Sequence, residues 1–125
     1  MADENPADML AVRALFEAVA GKPLPTEAVA VPGLGTVHVR GLTAAEYDEF
    51  EAGCLARGDD GDLTSRSNRP LLVRLCACTP EGKRVFRDDH LDMLRALPAA
   101  VINPIAAAAM RLCGLGKAAE SDAKN

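Results

Sequence analysis

Residues 29–40 have the sequence VAVPGLGTVHVR, which reads as two short strands joined by a Pro-Gly-Leu-Gly turn. Valines recur at every second position on both sides of the turn, as in a strand with one apolar face. An isolated hairpin is only marginally stable in water, so this valine face must pack against a helix or a partner. The apolar face comprises Val29, Val31, Val37 and Val39, and the opposite, more solvated face comprises Thr36, His38 and Arg40.

A nearly all-apolar segment, LLVRLCAC, follows at residues 71–78, and Arg74 is its one charged residue. Ser67 or Asn68 can cap a helix that begins before this segment, and Pro70 suits its first turn. A helix that is apolar nearly all round belongs in the centre of a core. A buried strand is the alternative for so short an apolar run, but the capped start favours the helix.

Further helices are predicted on both sides of these two segments. The first runs from Pro6 to Ala20, with apolar residues at helical spacing. Thr43 and Glu46 have the spacing of a capping box, which marks the start of another helix. This helix is expected to carry Leu55 on its apolar side and to end at Gly58, where a polar loop begins that continues to about residue 68. Near the C-terminus, Asn103-Pro104 either kinks a helix or begins a new one.

The predicted fold is mainly α, an α+β fold of four to five helices with a small antiparallel β-hairpin near residues 28–40. The chain has 125 residues, which suits one domain with tails. The predicted organisation is an N-terminal helix at residues 1–22, a main domain at 25–116 and a disordered tail at 117–125.

Composition and charge exclude several classes of partner. The 14 basic and 18 acidic residues give a net charge of -4, whereas a protein that binds nucleic acid needs a basic face. The longest apolar run, residues 96–110, is interrupted by prolines and is shorter than the roughly 20 residues of a membrane-spanning helix. Residues 1–4 lack the positive charge of a signal peptide. These features indicate a cytosolic protein with reduced thiols.

Candidate catalytic groups are few. Cys76 and Cys78 are two apart, and on a helix such residues point to different sides, so they are not expected to share a metal ion. Neither His38 nor His90 has a nucleophile beside it in the sequence. We therefore expect no enzyme, no metal and no cofactor. The alternative is a small thiol- or metal-dependent enzyme that uses Cys76, Cys78, Cys113 and His90.

More apolar residues are present near the C-terminus than the other predicted elements require. Either all of them form core, or some of them line a groove or patch for an amphipathic helix of another protein. In the second case the expected contact residues lie on the late helices or on the hairpin face. They are Leu94, Leu97, Val101 and Ile105 on the helices, and Val29, Val37 and Val39 on the hairpin.

The order of several short motifs carries a resemblance to a known family. After the hairpin come Leu-Thr-Ala-Ala-Glu at residues 42–46, Glu-Gly-Lys-Arg-Val-Phe-Arg-Asp-Asp at 81–89 and Leu-Pro-Ala-Ala at 97–100. In this order, residues 25–116 resemble the tail assembly chaperones of long-tailed bacteriophages and of phage-derived tail clusters in bacteria. The leucine at position 34 departs from the family pattern, which often has an aromatic residue in the hairpin.

The resemblance implies a protein without enzymatic activity. Family members bind the long, helical tape-measure protein in the host cytoplasm, keep it soluble until tail-tube protein polymerises around it, and are absent from the mature particle. Neither nucleic acid nor a membrane is then an expected partner, and self-association stays open. The main alternative is a structural adaptor or connector of a phage tail or head–tail junction, which would remain in the particle.

Overall fold

The structure, a computed structural model, describes residues 6–114. Within these residues, helices alternate with short antiparallel strands, which confirms the predicted α+β class. The helices are α1 (Pro6–Ala20), α2 (Ala44–Gly53), α3 (Arg69–Cys76), α4 (Leu91–Arg95) and α5 (Ala99–Leu112), with a 3₁₀ turn at Asp88–His90. The strands are β1 (Thr26–Val31), β2 (Gly35–Arg40), β3 (Leu55–Arg57), β4 (Leu63–Ser65) and β5 (Ala77–Cys78).

The predicted valine hairpin is confirmed. β1 and β2 pair antiparallel with Val29 opposite Val37. The turn requires glycine at two positions, because Gly33 and Gly35 have φ of 81° and 122°, a region that side chains with a Cβ rarely adopt. Val39 on the inner face is fully buried, so the apolar face of the hairpin packs against its own chain.

α3 is the central core helix, as its sequence predicts. The Asn68 side chain caps it by accepting a hydrogen bond from the Leu71 N–H, and also donates to the Gly53 carbonyl at 2.8 Å. Every residue of α3 from Leu71 to Cys76 is buried. The helical interpretation of this segment is therefore confirmed over the buried strand.

The last two residues of the apolar run, predicted as helix, form strand β5 instead. Ala77 has an extended backbone, and Ala77 and Cys78 pair with Val39 and His38 on the edge of β2. The sheet order is therefore β1-β2-β5. The unpaired backbone groups on this edge of β2 account for the change, because buried N–H and C=O groups must find partners.

α5 closes the core by packing against α3 and against both strands of the hairpin. It continues through Pro104, so no new helix begins at Asn103-Pro104. A proline inside a helix removes one backbone hydrogen bond, and the packing of α5 compensates for that loss. The buried residues of α5 are Ile102, Ile105, Ala106, Ala108 and Ala109.

A second, exposed hairpin of β3 and β4 occupies the predicted polar loop and also the predicted last turn of the helix before it, because α2 ends at Gly53 and not at Gly58. Its turn is held locally: the Asp62 N–H donates to the Asp60 side chain at 3.0 Å, and Arg57 donates to the Gly61 carbonyl at 2.7 Å. Gly61 has a φ of 85°. Both strands have only three residues, too few to show the alternating apolar pattern by which strands are recognised.

α1 has the predicted bounds, but it does not join the core. Every residue of this helix is exposed. The predicted domain boundaries at residues 22 and 25 stay predictions. The tail predicted to be disordered, residues 117–125, lies outside the described residues.

Candidate protein-binding surface

The residues predicted to contact a partner do not form one exposed surface. Val39, Leu94 and Ile105 belong to the core with at most 3% of their surface exposed, so we correct their assignment from partner contacts to core residues. The physical reason is that α3 is apolar nearly all round, so the hairpin, α4 and α5 bury these three residues in covering it. The others lie at the margin of the core: Val29, Val37 and Val101 are half-buried, and Leu97 is exposed.

An open apolar groove lies elsewhere, between α2, α3 and α5. Its volume is about 590 Å³, within the range of protein sites that accept a small ligand or several side chains of a partner. Its large apolar lining residues are Phe50 of α2, Leu72 of α3 and Met110 of α5. Ala107 is exposed at the margin. None of the predicted contact residues lines this groove.

One end of the groove is polar. Arg69 at the start of α3 donates a hydrogen bond to the Asn103 side chain of α5 at 3.4 Å, and Ser67 and Asn68 lie beside them. The rest of the lining is apolar apart from the Cys54 thiol. This arrangement suits the side of a helix that carries an apolar stripe with polar residues at its margin.

A close approach between α2 and α3 sets the width of the groove. A Cβ atom on Gly53 would overlap Cδ2 of Leu71, so a larger residue here would force the buried Leu71 side chain to move. The hydrogen bond from Asn68 to the Gly53 carbonyl fixes the same contact. Two local features, a glycine and a cap, therefore hold the end of α2 against the start of α3.

A partly buried ion-pair cluster holds the start of α2 against the sheet. Arg40 donates two hydrogen bonds to the Glu46 carboxylate, at 3.0 and 2.7 Å, and Arg84 donates a third at 2.6 Å. These hydrogen bonds, with Arg40 first and the backbone of Thr43 next, lower the pKa of Glu46 to about 2. Arg40 is 8% exposed, which corrects its predicted place on the solvated face of the hairpin.

A second buried arginine connects three elements. Arg74 of α3 is 5% exposed and donates to Glu49 of α2 at 2.9 Å and to Asp88 of the 3₁₀ turn at 2.7 Å. A buried guanidinium needs such partners, because an unpaired charge inside a protein costs several kcal/mol. Both arginine clusters therefore stabilise the scaffold around the groove.

Of the thiols considered for an active site, those of Cys76 and Cys78 are buried and that of Cys113 is half-buried. Interaction between the Cys76 and Cys113 thiols raises the pKa of Cys76 and lowers that of Cys113. Burial raises the pKa of Cys78 in β5. His90 accepts a hydrogen bond from the Arg87 N–H at 2.9 Å. Within residues 6–114, no three His, Cys, Asp or Glu side chains converge to hold a metal ion.

A second apolar surface lies on α1 and was not among the predicted sites. Met9, Val12, Phe16 and Val19 have exposed fractions of 49, 53, 73 and 67%. Their helical spacing is visible in the sequence, but it predicts only that one side of α1 is covered, not by what. In the part of the chain that the structure describes, no helix is long and apolar enough to cross a membrane.

Comparison of the chain with protein-family models, with curated proteins and with solved structures finds no match. The groove and the apolar side of α1 must therefore be interpreted from their own residues.

Proposed function

We propose that this protein is a tail assembly chaperone of a long-tailed phage or of a phage-derived tail cluster. In the host cytoplasm it binds the tape-measure protein, covers apolar stretches of that helical protein and releases them when tail-tube subunits polymerise around it. It acts by noncovalent binding. The observation that carries the proposal is the open apolar groove between α2, α3 and α5. The resemblance of residues 25–116 supports the class of partner.

The groove suits weak, reversible binding of a helix. Covering one large apolar side chain gives roughly 1.5–3 kcal/mol, from which the entropy cost of association must be subtracted. A groove of this size accepts only a few such side chains, so one copy binds loosely. Tube subunits that bury a longer stretch of the same helix would displace it. Several copies along one long target would act together.

The charge of the chain favours solubility of the resulting complex. The net charge is -4, and exposed acidic side chains include Asp48 and Glu51 of α2, neither of which lines the groove. Such a surface keeps a coated apolar target dispersed through mutual repulsion. It gives no attraction to the phosphates of nucleic acid.

The test is co-expression with the long helical protein encoded in the same gene cluster. The soluble yield of that protein is measured with wild-type chain, with Ala107→Glu and with Ala100→Glu. Both alanines are exposed on α5, but only Ala107 lines the groove. We expect wild type and Ala100→Glu to raise the soluble yield several-fold, and Ala107→Glu to lose most of that effect because a charge enters the apolar groove.

Equal yields with and without the wild-type chain would contradict the chaperone function. Equal activity of the two variants would contradict the groove as its site. Mass spectrometry of purified particles separates the structural connector from the chaperone, because a connector remains in the particle in fixed ratio and a chaperone is absent.

A further inference from the structure

Four of the six exposed large apolar residues of α1 follow the pattern of a coiled-coil seam. Met9, Val12, Phe16 and Val19 are separated by three, four and three residues, which is the a-d-a-d spacing of two heptads. All are about half exposed or more. A helix of 15 residues is marginal in water on its own, and most helical stability in proteins comes from packing of an apolar face. We therefore expect a second helix to pack against this seam.

Charged residues beside the seam identify that helix. In the same heptad numbering, Asp8 occupies a g position and Arg13 an e position. In a parallel pair of identical helices, a g residue faces the e residue five positions later on the other helix. Asp8 of each copy would therefore face Arg13 of the other. An antiparallel pair with the apolar residues in register would bring the two Arg13 side chains toward each other.

We propose that α1 binds α1 of a second copy of this chain as a short parallel two-helix coil. Met9, Val12, Phe16 and Val19 form its four layers, and Asp8 pairs with Arg13 of the other copy on both sides. The arrangement has two-fold symmetry, so it closes at two chains. This inference goes beyond the proposed function and does not depend on it.

The apolar groove of another copy is the competing site for α1. Insertion of α1 into that groove would be a head-to-tail contact, which gives rings or open chains rather than closed pairs. The groove also lacks acidic lining residues that would match Arg13. The complementary charges of α1 itself favour the homotypic pair.

Sedimentation equilibrium in reducing buffer tests the pairing, at roughly 1–500 µM protein, the range in which so short a helix pair is expected to dissociate. The expected wild-type mass rises from 13.1 kDa toward twice that value. Phe16→Glu should stay monomeric at all concentrations. Ala14→Glu, which adds the same side chain on the back of α1, should pair like wild type. A monomeric wild type or a pairing Phe16→Glu would overturn the proposal.

A charge exchange tests the parallel orientation. Asp8→Arg places a second guanidinium opposite Arg13 and should raise the dissociation constant about fivefold or more, because two attractive contacts become repulsive. The double variant Asp8→Arg/Arg13→Asp should bring the constant back toward the wild-type value. If the double variant is as weak as Asp8→Arg, the parallel arrangement is excluded. If Ala107→Glu abolishes pairing instead, the groove is the partner site and the proposal fails.

Discussion

α1 and α3 are both rich in apolar residues, yet one is wholly exposed and the other almost wholly buried. α3 lies between α2, α5 and the sheet, and its residues from Leu71 to Cys76 are all buried. α1 is nearly twice as long and has no buried residue. The difference shows that apolar spacing predicts that a helix side will be covered, but not whether its own chain provides the cover.

The largest expected contrast comes from truncating one apolar side chain in each helix. Leu75→Ala in α3 should lower the free energy of unfolding by about 2–4 kcal/mol, because the fully buried side chain leaves a cavity. Phe16→Ala in α1 should change it by less than about 0.5 kcal/mol in the monomer, because the ring is exposed. Urea unfolding at low protein concentration measures both values. Similar losses would show that α1 packs on its own chain.

Glycine replacements sharpen the same contrast at the ends of helices. Gly53→Ala should destabilise by about 1–3 kcal/mol, because its Cβ would overlap the Leu71 side chain between α2 and α3. Gly21→Ala, just after α1, should be neutral or stabilising by about 0.4–1 kcal/mol, because the nearest atoms lie 3.8 Å from its Cβ. Thermal unfolding of both variants provides the comparison, and the opposite order would contradict the close contact at Gly53.

Lowering the pH should reduce the free energy of unfolding, because Glu46 loses its charge. Since its pKa is about 2 in the folded state and 4.5 is the ordinary value, the unfolded chain binds more protons between these limits. The stabilisation is present above about pH 5 and is lost as the pH falls toward 2, with a contribution of about 1–2 kcal/mol after solvent screening. Glu46→Gln should reduce the fall in unfolding free energy over this range. An unchanged pH dependence would contradict the ion-pair cluster.

The features that could be predicted from the sequence are those decided by neighbouring residues. The glycine turn of the hairpin, the capping box of Thr43 and Glu46 and the Asn68 cap each involve residues only a few positions apart. Such local hydrogen bonds and backbone preferences act whatever the rest of the chain does. They suffice for the order of the elements and for the α+β class.

The features that could not be predicted depend on distant residues. The burial of Arg40 depends on Glu46 and also on Arg84, and β5 forms only because an edge of β2 is free. The groove is lined by residues of three helices, including Phe50 and Met110, and no spacing in the sequence indicates that these residues lie close together. The exposure of α1 likewise depends on distant residues, because the other helices and the sheet pack against one another and leave α1 outside the core.

The connector between α1 and β1 limits how far the two regions can separate. Residues 21–25 include two prolines, and the Pro25 carbonyl accepts a hydrogen bond from the Gly41 N–H at 2.9 Å, which anchors the end of the connector to the sheet. Five residues span at most about 17 Å when fully extended. In two chains joined through α1, the short connectors would therefore keep the two grooves close together. Such a pair would bind neighbouring segments of one elongated target more readily than two separate molecules.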